Sequence, residues 1–269
     1  MLDNLADLYR HRALVGVLTT RELKARYRGS VLGYFWSLLN PLLMLIVYSV
    51  VFQLLLPNRS ESTNPYSLFL FCGLLPWNWL AGSLTDAASS LLTHGGLLRK
   101  VLFPAEVLPF VSVFSQTAHF LLALPVLFGG LILAATGLFG PARPLTWTLV
   151  QIVPLAFLEG VFLLGVGLFL AGLTAHFRDV RDLLSTALSL LFFATPILYT
   201  LGDLRSHPVA ALLALNPLAK LFSAWQDAMF FGRWISPMGW LQLTGMSLVT
   251  FIVGYAFFDR LRDSFAEAV

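Results

Sequence analysis

The sequence predicts an all-α polytopic membrane protein. It has six transmembrane helices, an amphipathic N-terminal interface helix, and short re-entrant helices between spans five and six. Three observations predict this. The chain is 58% hydrophobic and 12% charged with a mean hydropathy of +0.79, a balance foreign to a water-soluble domain of 269 residues. Its apolar runs are continuous, about 20 residues or longer, and do not alternate, which fits helices and not a barrel. Residues 19–41, TTRELKARYRGSVLGYFWSLLNP, pass from a basic helical pattern into a segment with no charged residue from 31 to 56. A cationic surface helix therefore runs straight into a membrane span.

Taken in order, residues 1–30 read as an interface helix, with Leu2, Leu5 and Leu8 as one apolar stripe and Leu14, Val15 and Leu18 as another. Arg21, Lys24 and Arg28 follow one another by three and four and share a helix face. Leu23 and Tyr27 are placed to dip into the lipid boundary, and Tyr34, Phe35 and Trp36 form an interfacial aromatic anchor. Span one covers roughly 33–56, with a kink expected at Asn40-Pro41. Span two covers about 66–90, and a polar, then basic, then proline-punctuated loop occupies 93–109. Span three covers about 107–136 and span four about 147–174, separated by GLFGPARP. The charged turn HFRDVRD at 176–182 leads into span five, about 183–201. Between 202 and 237 the apolar pieces 209–215 and 217–231 are too short to cross and read as re-entrant. Span six covers about 238–258. The whole is one domain over 1–269: the interface helix 1–30, the bundle 33–258 and a tail 259–269.

Six spans put both termini on one side. Twelve of the 17 Lys and Arg residues fall on the terminal side, so the positive-inside rule places both termini in the cytoplasm. The first thirty residues are polar, and the first apolar run is too long for a signal-peptide core, so no cleavable signal peptide is expected. Cys72, the one cysteine, lies in an apolar run, which leaves no disulfide framework and no cysteine metal site.

Enzyme signatures are missing from the sequence. His11, His94, His119, His176 and His207 are scattered without metal-ligand spacing, and neither GxSxG nor a Walker A glycine loop occurs. Any active transport would need an ATPase partner. Glu159 is the one acidic residue near the middle of a predicted span. An ionisable group at that depth is either functional or satisfied by a polar neighbour such as His119 or Gln116. Gly160, Gly165, Gly167 and Gly172 dot span four and read as close helix packing. The cations at 21–28 have two readings. One is a topology signal; the other is capture of an anionic headgroup, such as a diphosphate, by Arg21, Lys24, Arg26 and Arg28. Tyr34 and Trp36, which begin the adjacent span, would then offer aromatic faces beside that site. Of the aromatic residues, Trp77 and Trp79 are further candidates for lining a sugar conduit, though most aromatics must simply pack.

The segments RELKARYRGSVLGYFWSLLNPLLMLIVYSVVF at 21–52, GLLPWNWL at 73–80, LLRKVLFPAEVLP at 97–109, HFRDVRDLL at 176–184, TPILY at 195–199 and NP at 216–217 occur in an order that resembles a known family. The chain is similar along its whole length to the transmembrane permease subunit of ABC-2 type exporters for polysaccharides and teichoic acids, nearer to O-antigen and teichoic acid exporters than to capsule permeases. The resemblance implies a homodimer bound to two copies of a separate ABC ATPase subunit, which binds ATP and Mg; this chain carries no cofactor. The implied substrate is a polymer on undecaprenyl diphosphate, and the implied location is the bacterial cytoplasmic (inner) membrane, among membrane lipids and with no nucleic-acid partner. ATPase coupling would fall to Leu97, Leu98, Arg99 and Lys100, with Arg178 and Asp179. The outer segment LNPLAKLFSAWQDAMFFGR lacks the tyrosine-arginine pairing common after that NP, so no sugar contact is assigned there. Two other classes compete. A membrane-embedded enzyme of lipid-linked glycan metabolism would need clustered acids or Arg/His constellations on one face. A small-molecule ABC-2 permease often carries a large outer domain after span one, where this chain has a loop of about ten residues.

Overall fold

The computed structural model describes residues 11–55, 61–94, 104–137, 142–202, 213 and 215–265. Eight principal helices follow one another among them. α1 is Arg12–Arg26, α2 is Trp36–Ser49, continued in wider turns through Val50–Leu55, and α3 is Tyr66–Thr93. α4 is Val107–Ala135, and α5 is Ile152–His176, entered through a tight turn at Trp147–Gln151. α6 is Val180–Ala194, α7 is Pro217–Gln226, continued through Asp227–Phe231, and α8 is Pro237–Leu261. No strand occurs among the described residues.

Four of these are long and apolar enough to cross a membrane: α3, α4, Trp147–His176 and α8. The other two expected spans are shorter. The apolar part of α2 is Trp36–Phe52. α6 has 15 residues and ends at Ala194, not at 201. At the usual rise its helical part covers only about 22 Å of a hydrocarbon layer about 30 Å thick. The cause is local. Thr195 stands before Pro196 and is extended (φ −109°, ψ 138°), the conformation that a following proline imposes.

α3 is the hub. Its faces pack on α4, α5, α2, α6 and α7, and nearly every side chain from Tyr66 to Leu80 is buried. The broadest contact joins α5 to α8, where two glycines meet. A Cβ on Gly165 would stand 2.5 Å from the Phe251 backbone, and one on Gly254 would overlap the Gly165 carbonyl. Small residues let lipid-embedded helices approach to this degree. Gly167 faces Ala87, Gly172 faces Phe258, and Gly160 faces Trp79, so the glycines of span four serve packing as expected.

The two ends of the bundle differ. At one end Val15 of α1 is buried against Val107 and Val111 of α4. The same end gathers Leu91, Ala105, Ala175, Phe258 and Phe265, and His176 meets Ser264 at 2.9 Å. The described chain therefore begins and ends at one end, hereafter the α1 end. At the opposite end, Arg143 donates to the carbonyls of Ser62 and Asn64 at 2.7 and 2.8 Å, and Tyr66 donates to that of Leu198 at 2.8 Å. α7 lies there, with Leu218, Leu221, Phe222 and Trp225 buried against the long helices. The predicted piece at 209–215 lies almost wholly outside the described residues.

A polar cavity at the junction of the interface helix and the first span

Between α1 and α2 the chain turns at Gly29 (φ +82°) and Gly33 (φ +50°), positions where a side chain would be strained. The turn lets α1 lie across the start of α4 while α2 rises beside α3 and α4. Trp36 locks it, its indole nitrogen donating to Ser30 Oγ at 3.0 Å.

Under this turn lies a cavity of about 530 Å3. Arg26, Tyr27 and Ser30 close one side, Trp36, Ser37 and Asn40 another, and Asn78, Trp79, Gln116 and His119 a third, with Pro41, Leu75, Phe120 and Ala123 as apolar lining. Two hydrogen-bond networks hold its walls. Arg26 Nη2 donates to Asp86 Oδ2 at 2.8 Å, and Gln116 Nε2 donates to the same oxygen at 2.6 Å, so α1, α3 and α4 share one carboxylate. Beside it, the Tyr27 and Ser37 hydroxyls bond to each other, and both reach His119 Nδ1, at 3.2 and 3.1 Å. Tyr27 thus turns into the bundle and ties α1 to α2 and α4, a correction to its expected place in the lipid boundary.

Two amides are left over. Asn40 and Asn78 are exposed to the cavity and make no hydrogen bond among the described residues. On helices that otherwise face lipid or protein, such groups need water or a ligand.

The candidate residues separate in space. Arg26 lines the cavity but is bonded to Asp86. Arg21, Lys24 and Arg28 are exposed and make no ion pair or hydrogen bond among the described residues. Trp36 and Trp79 line the cavity; Trp79 donates to Thr117 at 3.1 Å and stacks on Phe120 at 4.6 Å. Trp77 does not reach it, being buried between Phe192 of α6 and Phe222 of α7. The Tyr34 side chain lies outside what is described. Leu97, Leu98, Arg99 and Lys100 also lie outside the described residues. Arg178 and Asp179 are exposed on the α5–α6 turn, at the α1 end. On α1, Glu22 is held above the usual carboxylate range, first by burial and then by the Asp86 charge, against the pull of His94 and Arg26.

Glu159 has a partner that the sequence did not show. It is fully buried, and Trp225 Nε1 of α7 donates to its Oε2 at 2.6 Å, while His119 and Gln116 bond elsewhere. Asn216 was also missed as a device. Its Oδ1 accepts from Leu218 N at 3.0 Å and caps α7; its Nδ2 donates to Ala194 O at 3.1 Å and to Thr195 Oγ1 at 3.2 Å, capping α6.

A family model described as ABC-2 type transporter matches residues 13–230. The chain is 35% identical over 270 residues to an O-antigen export system permease protein, RfbA, of Myxococcus xanthus, covering all of both chains. It is 35% identical over 258 residues to a protein of that name from Klebsiella pneumoniae, covering 94% of each. A more distant relative is the polysialic acid transport protein KpsM of Escherichia coli, 24% identical over 262 residues and 94% of each chain. The family match runs from α1 through the glycine turn and the cavity to the end of α7, and this multi-pass helical membrane protein belongs to the ABC-2 type transporter family.

Proposed function

We propose that this chain is the permease subunit of an O-antigen-type exporter in the bacterial inner membrane. It would pass a polysaccharide carried on undecaprenyl diphosphate outward, as a homodimer powered by two copies of a separate ATPase subunit that binds ATP and Mg. Full-length identity of 35% to O-antigen export permeases, against 24% to a polysialic acid transporter, favours this cargo class over capsular polymer. In this reading α2 and α6 cross with the four long helices, and the α1 end faces the cytoplasm.

The observation that carries the assignment to a site is the pair of uncommitted amides, Asn40 and Asn78, beside Trp36 and Trp79 in the cavity. Amides and the partly exposed Trp36 indole suit a sugar ring, while Trp79, buried and stacked on Phe120, backs the wall. The exposed cations Arg21, Lys24 and Arg28 would hold a diphosphate at headgroup level while its lipid tail stays in the bilayer, although Arg21 lines a separate cavity with Thr93, His94 and Leu108. Arg26 serves a different part, because Asp86 already neutralises it. A single copy leaves α6 largely exposed, with Asp182, Ser185, Thr186 and Ser189 along it; in a dimer that face would border a polar path. Arg178 and Asp179, with the 97–100 segment, would take the ATPase.

Deleting the gene should leave undecaprenyl-linked polymer inside the cell and none at the surface, with restoration by the wild-type chain. The purified chain should hydrolyse no ATP alone and gain hydrolysis with its ATPase. Unchanged surface glycan in the deletion strain overturns the assignment.

A further inference from the structure

We propose that the end opposite α1 carries a second glycan-binding cleft, formed by Asp227, Arg233, Ser223, Gln226, Thr200 and Phe231, for an uncharged, hydroxyl-rich sugar unit. The inference rests on the exporter reading, because the glycan reaching that end is the exported polymer. The cavity there is about 360 Å3, within the usual range of small-ligand clefts, about 300–1,000 Å3.

Its chemistry is that of sugar recognition. Asp227 and Arg233 face each other at 3.7 Å, too far for a hydrogen bond, and neither side chain makes one among the described residues. The carboxylate keeps its acceptor sites and the guanidinium its donors. A sugar diol, which both donates and accepts, satisfies the two together. A phosphate satisfies Arg233 and is repelled by Asp227, so the cleft selects against anions. Burial raises the Asp227 carboxyl above its usual range, with the Arg233 charge pulling the other way. A hydroxyl donor would relieve that cost. Ser223 adds a hydroxyl, Thr200 lines the rim, and Phe231 supplies an aromatic wall, with the Arg233 guanidinium 4.8 Å over its ring.

The cleft is braced from below. Gln226 Nε2 donates to Pro196 O at 2.8 Å. Gln151, buried at the start of α5, donates to Arg233 O at 3.0 Å and accepts from Ile235 N at 2.9 Å. Thr148 donates to Ala228 O at 3.0 Å. Gly232 makes the turn into Arg233 at φ +63°, with Thr146 3.0 Å from where a Cβ would stand. Such preorganisation lowers the ordering cost of binding.

The test uses the full chain in nanodiscs and, as probe, the parent strain's polymer released from its lipid by mild acid, so that no diphosphate remains. Saturation-transfer NMR should show binding by the wild type. Asp227→Asn and Arg233→Gln should each weaken it about tenfold, the loss of one charge-assisted hydrogen bond. Ser223→Ala, which touches no ion pair, should weaken it less. Unchanged melting temperatures keep the variants comparable. Equal binding by Asp227→Asn and wild type, or no binding by wild type at about millimolar sugar, overturns the cleft and leaves the exporter reading standing. Unchanged surface glycan in the deletion strain overturns both.

Discussion

Gly254→Ala tests how α5 and α8 close. The new Cβ would overlap the carbonyl oxygen of Gly165, and the reciprocal substitution would put a carbon 2.5 Å from the backbone of Thr250 and Phe251. Carbon atoms rest at about 3.5–4.0 Å, so the helices must part by about 1 Å. The obstacle is backbone, which cannot swing aside as a side chain would. Parting also loosens Tyr255 and Phe258 from Leu168 and Ala171, and a gap of that order forfeits about a quarter to a half of each contact's attraction. Overpacking typically costs about 1–3 kcal/mol, and the upper end applies here. For a chain of this size that is a fall in melting temperature of about 6–12 °C. The assay is thermal unfolding in detergent. Gly245→Ala, with nothing within 4 Å of its Cβ, is the control and should hold or gain slightly. Adding Gly165→Ala to Gly254→Ala should cost little more, since the helices have already parted. A Gly254→Ala protein that melts with the wild type refutes the close approach.

Trp225→Phe leaves the Glu159 carboxyl without its indole donor and should destabilise by about 1–3 kcal/mol; adding Glu159→Leu should recover much of that in the same melt, and failure to recover points to lost Trp225 packing as the cause. Glu22 has a raised carboxyl pKa, so its favourable contribution is full below its ordinary value near 4.5 and is lost as pH rises through the raised value. Glu22→Gln should therefore melt higher than wild type at about pH 8 and equal to it at about pH 4, and no pH-dependent difference would remove the burial cost. Lys24→Gln with Arg28→Gln should weaken headgroup capture roughly tenfold to thirtyfold, at about 1 kcal/mol per cation. Intracellular accumulation of lipid-linked polymer, beside a C-terminal topology reporter, measures it; normal export with correct topology leaves those cations as topology signals only. Leu97→Asp with Leu98→Asp should abolish export without affecting insertion, and export at wild-type rate would clear that loop of ATPase docking.

The class of fold was legible because lipid imposes a coarse code: long uncharged runs and a lopsided distribution of Lys and Arg. The glycines of span four were legible for the same reason, but Gly254, the partner of Gly165, was not, because one glycine in α8 carries no pattern. The length of span five was misjudged because its apolar run continues through Thr195-Pro196, where backbone restriction ends the helix although hydropathy does not change. The cations at 21–28 were found as a group, yet their division was hidden. Arg26 answers to Asp86, sixty residues away, and no local spacing reports that. Tyr27 and Trp225 were misread or passed over because an aromatic with a polar tip serves lipid, core and hydrogen bond alike.

The cavity's polarity follows from which groups its walls have already used. Arg26 and Gln116 both bond Asp86, and one helix turn away Tyr27 and Ser37 bond each other and His119 Nδ1, while His119 Nε2 is buried with no hydrogen-bond partner among the described residues. These six fix the angle of α1 against α2, α3 and α4. A headgroup that drew Arg26 to itself would leave Asp86 without its cation and with only the Gln116 amide, a cost set against any gain. Side chains that can bind at no such cost are Asn40 and Asn78, beside the unpartnered His119 Nε2 and the partly exposed Trp36, with the unpaired cations Arg21, Lys24 and Arg28 elsewhere on the surface. In the proposed exporter reading, the site would divide the work between a charged approach for a diphosphate and a largely neutral chamber for a sugar. Such a division would suit a transporter that must release its cargo, because among the described residues the charge lining the chamber, Arg26, is already paired with Asp86.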